Sequence, residues 1–399
     1  MEAVDVFIVG GGLVGCASAW HLALGGASVL LVEQGEINSG ASSQNAGSLH
    51  FQMERRFLED SPALAEIAAR TMALNTLAIV EWRGLEAALG VPLDIAMDGG
   101  LMVAETADDL RLLEAKVARE AYWNLPTRLV DGPEARRIAP YLSERVIGAS
   151  VLDSEGHADP RSITRAFAAA AMAAGATVIA DCRLTALTRY PGRYQAELDV
   201  GGERRQVRAD TLLLAAGAWT AAVGAVANLH LPIYPVGLTM NVTERIAPTI
   251  PHLIQHVGRR LSLKQAHAGN VLIGGGWPSR LRQTPSGGFD LSRPPLTVEA
   301  SIAGNLAAAR AVVPLVDDLN LIRTWTGIAA LTPDHLPLVG PVSPATRLFV
   351  AAGGSGFTLG PTFARLISAQ ILGRDSGEAA ERLAVFSPAR FAHLNGFMA

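Results

Sequence analysis

Residues 4–33 run through an apolar stretch VDVFIVG, a glycine turn, a helix-period stretch LVGCASAWHLAL, a stop at Gly25–Gly26 and a second apolar stretch SVLLVE. Short apolar runs bounded by glycine are buried strands, and strand–helix–strand connections imply a parallel sheet with the helix laid across it. From Ser61 to Gly90, and again from Thr106 to Ala121, apolar positions recur at helical spacing. Pro62 and the pair Asp108–Asp109 lie near the starts of these segments, where proline and acids are favoured. These helices are expected to flank the first lobe.

After Pro140 the texture changes to short strand-like pieces, and GHADPRSITRAFAAAAMAAGATVIADCRL then returns to a helix followed by a strand. The segment from Arg183 turns at Pro191–Gly192 and Gly201–Gly202 and ends in the buried run TLLLAAGAW, which reads as a meander. Residues 228–325 are β-rich around the polar loop QTPSGGFDLSRPP, with one helix over Thr297–Val312. The C-terminal part carries the turn TPDHLP, the strand RLFVAAG, the glycine cluster GGSGFTLGP and the helix FARLISAQILG, repeating the strand–glycine–helix order of the start. A nucleotide-type lobe assembled from 1–90, 141–225 and 326–399 is therefore expected, with 91–140 and 226–325 forming a second sheet over it.

Composition narrows the function. The 399 residues are 49% hydrophobic and 18% charged, enough apolar surface for two cores, and the net charge of −4 has no basic stripe to meet nucleic acid. Forty glycines cluster beside apolar strands, as a backbone that approaches a ligand requires. The only lysines are Lys116 and Lys264, so the positive charge is almost all arginine, the residue that grips carboxylates bidentately; a biased genome composition gives the same enrichment. Cys16 and Cys182 form neither a CxxC nor a metal-ligand pattern, so no disulfide, zinc or iron–sulfur site is expected. The start MEAVDVFIVGGG has no export signal, and the longest apolar tract, 166–180, is alanine-rich and broken by Gly175. A cytoplasmic protein is expected, either free or held at the inner membrane through a partner.

Gly10-Gly11-Gly12-Leu13-Val14-Gly15 is GxGxxG at a strand-to-helix junction. The first glycine makes the turn, the second admits a pyrophosphate and the third lets helix and strand touch. Glu33, at the end of the second strand, is placed to accept from a ribose 2′-hydroxyl, which disfavours NADP. The following loop, GEINSGASSQNAGSLH, supplies small hydroxyls and backbone N–H groups where an NAD enzyme would continue into a helix, so FAD is favoured. Expected cofactor contacts are Gly10, Gly12, Leu13 and Gly15 at the turn, Glu33 and Gln34, and Ser42, Ser43, Gln44, Asn45, Gly47 and Leu49 in the loop. Leu184 and the small-residue turn Ala216, Gly217 and Trp219 extend the set. Gly353, Gly354, Gly356, Phe357 and Thr358 add amides at a helix start, suited to negative charge on a reduced ring.

VGGGLVGCASAWHLA with Glu33, then SSQNAG, GHADPRSI, AAGAW, TPDHLPLVGP and GGSGFTLGP resemble the D-amino-acid oxidase superfamily of FAD-dependent amine oxidases and dehydrogenases, from residue 4 to about 372. Within it the likeness is to β-type subunits of opine oxidases and hydroxyproline or glycine dehydrogenases. The resemblance implies a mixed α/β fold: a Rossmann-like FAD lobe of glutathione-reductase type and a mixed β-sheet substrate lobe. It also implies hydride transfer from the amine-bearing carbon to flavin N5, and an imine that water hydrolyses to a 2-oxo acid.

Members of the superfamily commonly hold the substrate carboxylate with an arginine just before the PD turn, where this chain has Ala329. Sarcosine-type relatives use arginines soon after the flavin-binding loop, which points to LHFQMERR at 49–56. His50, Gln52 and Arg55 are read as facing the site, and of the adjacent Arg55 and Arg56 at most one contacts substrate. A surface cluster with Glu54 and a packed His50 are the alternatives. Trp325 is a candidate pocket wall or a core aromatic, and Thr358 completes the candidate catalytic set. Some oxidases of the superfamily place a lysine over the flavin near the strand entering Gly274-Gly275-Gly276, but Asn270-Val271-Leu272-Ile273 carries none, and Lys264 lies well upstream. The expectation is a dehydrogenase, one subunit of a hetero-oligomer, that passes electrons to a partner or a quinone. A self-sufficient glycine or D-amino-acid oxidase and a flavin electron-transfer subunit without its own substrate are the rivals.

Overall fold

A computed structural model describes residues 2–59, 62–343, 346–375 and 377–396; the expected helix start Ser61 lies outside them. The chain divides into two compact units, Met1–Gln44, Pro160–Val236, Ala329–Ala399 and Asn45–Asp159, Gly237–Ile328.

The first unit is built on the expected parallel sheet. Its strands lie in the order Leu338–Pro341, Leu348–Ala352, Glu203–Leu214, Glu2–Val9, Val29–Val32, Thr177–Ile179. All neighbours are parallel except the first pair. The central segments Val6–Val9, Val29–Val32 and Thr211–Leu214 are buried throughout, the pattern of strands covered on both faces. Cys182–Tyr190 and Arg193–Val200 add the expected meander beside Glu203–Leu214, turning at Gly192 (φ +74°) and at Gly201 and Gly202 (φ +60° and +94°). Helix Leu13–Leu24 is apolar and small on nearly every side because it packs between helices Pro160–Ala173 and Gly360–Ile371. Trp20 meets Phe167 edge-on at 5.6 Å.

The second unit is built on an eight-stranded mixed sheet, ordered Leu321–Leu331, Tyr234–Arg245, Asn270–Gly274, Ser262–Gln265, Leu253–His256, Gly100–Ala104, Gly148–Leu152, Arg128–Asp131. One face carries Leu101, Val103, Val151, Ile254, Leu263, Val271 and Ile273 into a core closed by Ala308, Ala309 and Val312 of helix Glu299–Val312. That helix begins two residues after the expected Thr297.

The unit boundaries differ from the sequence expectation. Residues 45–90 and 141–159, expected in the first lobe, belong to the second unit, and so do the helices Pro62–Ala69, Met72–Leu89 and Ala107–Tyr122. Strand Gly148–Leu152 pairs with both Gly100–Ala104 and Arg128–Asp131, which draws 141–159 to the second sheet. Asn75 Nδ2 donates to the carbonyl of Phe51 at 2.5 Å, tying the long helix to the 50s segment. Residues 226–236 move the other way, to the first unit.

Candidate active site

Gly10 has φ +118°, and a Cβ there would lie 2.4 Å from the carbonyl oxygen of Ala215, so only glycine makes this turn. At Gly15 a Cβ would lie 2.0 Å from the Gly10 oxygen, the close helix–strand approach that the third glycine permits. The helix N-cap, Gly12, has no side-chain capping bond, and the first turn has no acid. Glu33 Oε2 accepts from Gly11 N–H at 2.7 Å and its Oε1 from Gly35 N–H at 3.0 Å. This carboxylate braces the glycine turn and retains lone pairs for a hydroxyl.

The loop after Glu33 folds back on the same helix end. Ser42 Oγ accepts from Leu13 N–H at 3.0 Å, Ser43 Oγ donates to the Gly40 carbonyl at 3.2 Å, and Gln44 Nε2 donates to the Ser39 carbonyl at 3.0 Å. Asn38, which the sequence pattern does not single out, takes φ +69° and donates through Nδ2 to the carbonyls of Pro160 and Arg161. Gly40 approaches the Trp219 ring, with a Cβ position 3.6 Å from Cζ3. Gln34 is exposed and Leu184 is buried on its strand.

The glycine cluster near the other chain end converges here. Gly353 has φ +131°, its Cβ position 2.6 Å from Pro337 Cα, and the helix starting at Gly360 lies against the first helix, a Gly360 Cβ falling 3.2 Å from Leu13 Cδ2. Two helix N-termini thus lie side by side, their dipoles adding at one place. Thr358 is buried two residues before the second of them. A helix start with no acid in its first turn, a glycine turn that a Cβ would fill and a carboxylate on that turn fit an adenine dinucleotide.

Asn45, Gly47 and Leu49 belong to the second unit. Asn45 Oδ1 accepts from Gly47 N–H at 2.6 Å in an Asx turn, and Leu49 pairs with Gly156.

In that unit the sheet face opposite the helix-packed core is mixed: Met102 and Ala104 belong to a second apolar cluster, and polar side chains stand on the neighbouring strands. Gln255 and Ser262 are cross-strand partners there, and Lys264 is two residues further along the same face. His50 Nε2 lies 3.3 Å from Ser262 Oγ, and burial pushes its pKa down, with Glu54 opposing. Lys264 is 3% exposed, its Nζ 3.5 Å from the Ala158 carbonyl, and burial brings its pKa down to about 7 against the pull of Asp159. His157 falls to about 3, first through burial and then through Lys264 and His267. Trp325 is half-buried on strand Leu321–Leu331. Arg56 pairs with Glu54 at 2.9 Å and lies 4.4 Å over the Phe57 ring; Arg55 is half-buried beside it.

Gln52 departs from the expectation that it faces the site. It is 1% exposed, with both ends of its amide engaged internally: Nε2 donates to Glu155 Oε2 at 2.7 Å, and Oε1 accepts from Lys116 Nζ at 2.7 Å and from Ser150 Oγ at 2.7 Å.

A family model described as FAD dependent oxidoreductase matches residues 5–370. This chain belongs to that family. FAD is its cofactor, and the chain is an FAD-dependent oxidoreductase. It is 28% identical to glycine oxidase of Geobacillus kaustophilus (strain HTA426), over 97% of this chain and 97% of that one. The crystal structure of glycine oxidase from Geobacillus kaustophilus matches at TM-score 0.79, with 25% identity, over 98% of this chain and 99% of that chain. An opine oxidase subunit of Rhizobium meliloti is 25% identical over 98% of each chain. Human mitochondrial sarcosine dehydrogenase is 26% identical over 90% of this chain, which spans 38% of that protein's length.

Among the described residues no helix is long and apolar enough to cross a membrane, and no group of three or more His, Cys, Asp or Glu is placed to hold a metal ion. The structure adds Glu155, Glu120 and Lys116 to the functional candidates. Their signal in the sequence is the lysine count: in a chain with two lysines, both are buried, at 0% and 3% exposure.

Proposed function

We propose that this chain oxidises the C–N bond of a carboxylate-bearing amine, either a small amino acid or an opine-like N-carboxyalkyl amino acid. The resulting imine is hydrolysed to an amine and a 2-oxo acid, and the electrons pass to a partner subunit or a quinone. FAD, when bound, supplies the two-electron acceptor. Gly10, Gly12, Gly15 and Glu33, with the loop through Gly47 and the amides of 353–358, would hold it. The observation that carries the substrate reading is the gathering of hydrogen-bonding groups at one face of the second sheet, Ser262 and Lys264, with His50 against Ser262 and the guanidinium of Arg55 in the adjoining segment. Arg55 takes the carboxylate and Trp325 bounds the apolar part of the substrate. The likeness to the opine oxidase chain, by its name one part of an assembly, supports a hetero-oligomer.

One observation favours a second reading, an oxidase that makes hydrogen peroxide unaided. The hairpin pairs Lys264 with Leu272, so the stretch that lacks a lysine of its own has one directly beside it. The likeness to glycine oxidase agrees.

The test is to incubate the purified flavoprotein with amino acids and N-carboxyalkyl amino acids and to assay 2-oxo acid and peroxide. Release of 2-oxo acid with an artificial acceptor and little peroxide supports the first reading, and equal yields of the two in air support the second. No 2-oxo acid under any condition overturns both and leaves an electron carrier.

A further inference from the structure

The backbone of Phe51–Met53 is held in an unusual way. Strand Ser48–Leu49 pairs with Gly156–His157, and the ladder stops at the Leu49–Gly156 pair. The side chain of the next residue on the partner strand, Glu155, then takes over: its Oε1 accepts from the N–H groups of Phe51 and Gln52, each at 2.9 Å. Glu120 Oε1 accepts from Met53 N–H at 2.6 Å. Lys116, one turn before Glu120 on the same helix, donates to Glu120 Oε2 at 2.9 Å, to Gln52 Oε1 at 2.7 Å and to Ser150 Oγ at 3.1 Å. Lys116, Glu120 and Glu155 are all 0% exposed. Gln255 Nε2 lies 3.5 Å from both oxygens of Glu155, linking the cluster to the strand partner of Ser262.

One ammonium and two carboxylates buried together are a poor source of stability, because desolvation offsets most of their attraction and an apolar set of equal volume does as well or better. What such a cluster supplies is a single geometry, since each donor has a fixed acceptor. Here the geometry is that of three consecutive amides, flanked on one side by His50 and on the other by Glu54 and Arg55. We infer that the Lys116–Gln52–Glu155–Glu120 cluster is a positioning device for the substrate site: by holding the Phe51–Met53 amides it sets where His50 and Arg55 stand. The inference rests on the reading above that these two residues serve the substrate. Burial keeps the Glu155 carboxyl up at about 7, although the amides of Gln52 and the Lys116 ammonium favour its charged form.

The experiment uses the full-length flavoprotein and two readouts. Amide hydrogen exchange of residues 50–56 reports the segment itself, and anaerobic flavin reduction by a substrate that bleaches the wild type gives a Kd and a limiting rate constant. The double variant Lys116→Met/Glu120→Met removes the ion pair together and leaves Glu155, whose carboxyl burial already holds up at about 7, as the one acid of the cluster. Exchange at Phe51–Met53 is expected to speed up by about tenfold or more, with Kd raised about tenfold and a thermal midpoint near that of the wild type. A second pair, Glu155→Leu and Glu155→Gln, separates geometry from bulk: the glutamine keeps a carbonyl for the Phe51 and Gln52 amides and is expected to restore protection that the leucine loses. Unchanged exchange in the double variant and in Glu155→Leu overturns the inference. So does faster exchange with Kd and rate constant unaltered, because the cluster is then structural only. A wild type that no amine bleaches overturns the proposed function and this inference together, and is recognised before any variant is made.

Discussion

Lys264 stands directly opposite Leu272 across an antiparallel strand pair, buried at 3% exposure on the face of the second sheet that also carries Ser262. Burial depresses its pKa to about 7 from an ordinary value near 10.5. Above about pH 7 the native lysine has lost its proton while the unfolded chain still binds one, so stability rises with pH until the unfolded lysine also titrates. As pH falls from the unfolded value near 10.5 toward 7 that contribution is progressively lost, because the native state must then bury an ammonium, and below about 7, where both states hold the proton, the dependence ends. Thermal unfolding of the wild type against Lys264→Met between pH 6 and 10 checks this: the variant's advantage is expected to shrink as pH rises.

The glycine turn predicts a cofactor phenotype. Gly10→Ala forces a Cβ to 2.4 Å from the Ala215 carbonyl oxygen at φ +118°, strain of about 1–3 kcal/mol within the cradle itself. The purified variant is expected to carry little flavin, read from the ratio of flavin to protein absorbance. Glu33→Ala removes the acceptor of Gly11 and Gly35 and is expected to weaken FAD binding by about tenfold or more, measured by fluorescence titration of the apoprotein.

The adjacent arginines are expected to separate. Arg56 is committed to Glu54 at 2.9 Å and to the Phe57 ring, so Arg56→Ala affects stability by about 1 kcal/mol or less and leaves substrate Kd nearly unchanged. Arg55→Ala is expected to raise Kd for a carboxylate substrate by about tenfold to a hundredfold, a lost charge-assisted hydrogen bond, with a smaller effect on an amine that has no carboxylate. Equal effects on both amines contradict the assignment.

The first unit was legible because its signals are local. A strand ending in GxGxxG, an acid at the next strand's end and a meander turning on paired glycines each state their own geometry, and Gly10, Gly15, Gly201 and Gly202 adopt the conformations those motifs require. The second unit was less legible because its allegiance is set by long-range pairing. Strand Gly148–Leu152 is buried at every position, has no period, and joins the second sheet only through partners at Gly100–Ala104 and Arg128–Asp131. Gln52 was misplaced for a related reason. Its acceptors and donors, Glu155, Lys116 and Ser150, lie 64 to 103 residues away in the chain, and a polar side chain buried in such a network looks in sequence like one that faces a ligand. Lys264 lies eight positions before Leu272, a separation that the hairpin closes completely.

The most direct test of the central claim is the absorbance of the bound flavin under argon while carboxylate-bearing amines are added one at a time. At least one small amino acid or N-carboxyalkyl amino acid is expected to bleach it, with one 2-oxo acid formed per flavin reduced. A flavin that stays oxidised through the whole series, in a protein carrying its full complement of FAD, contradicts the account.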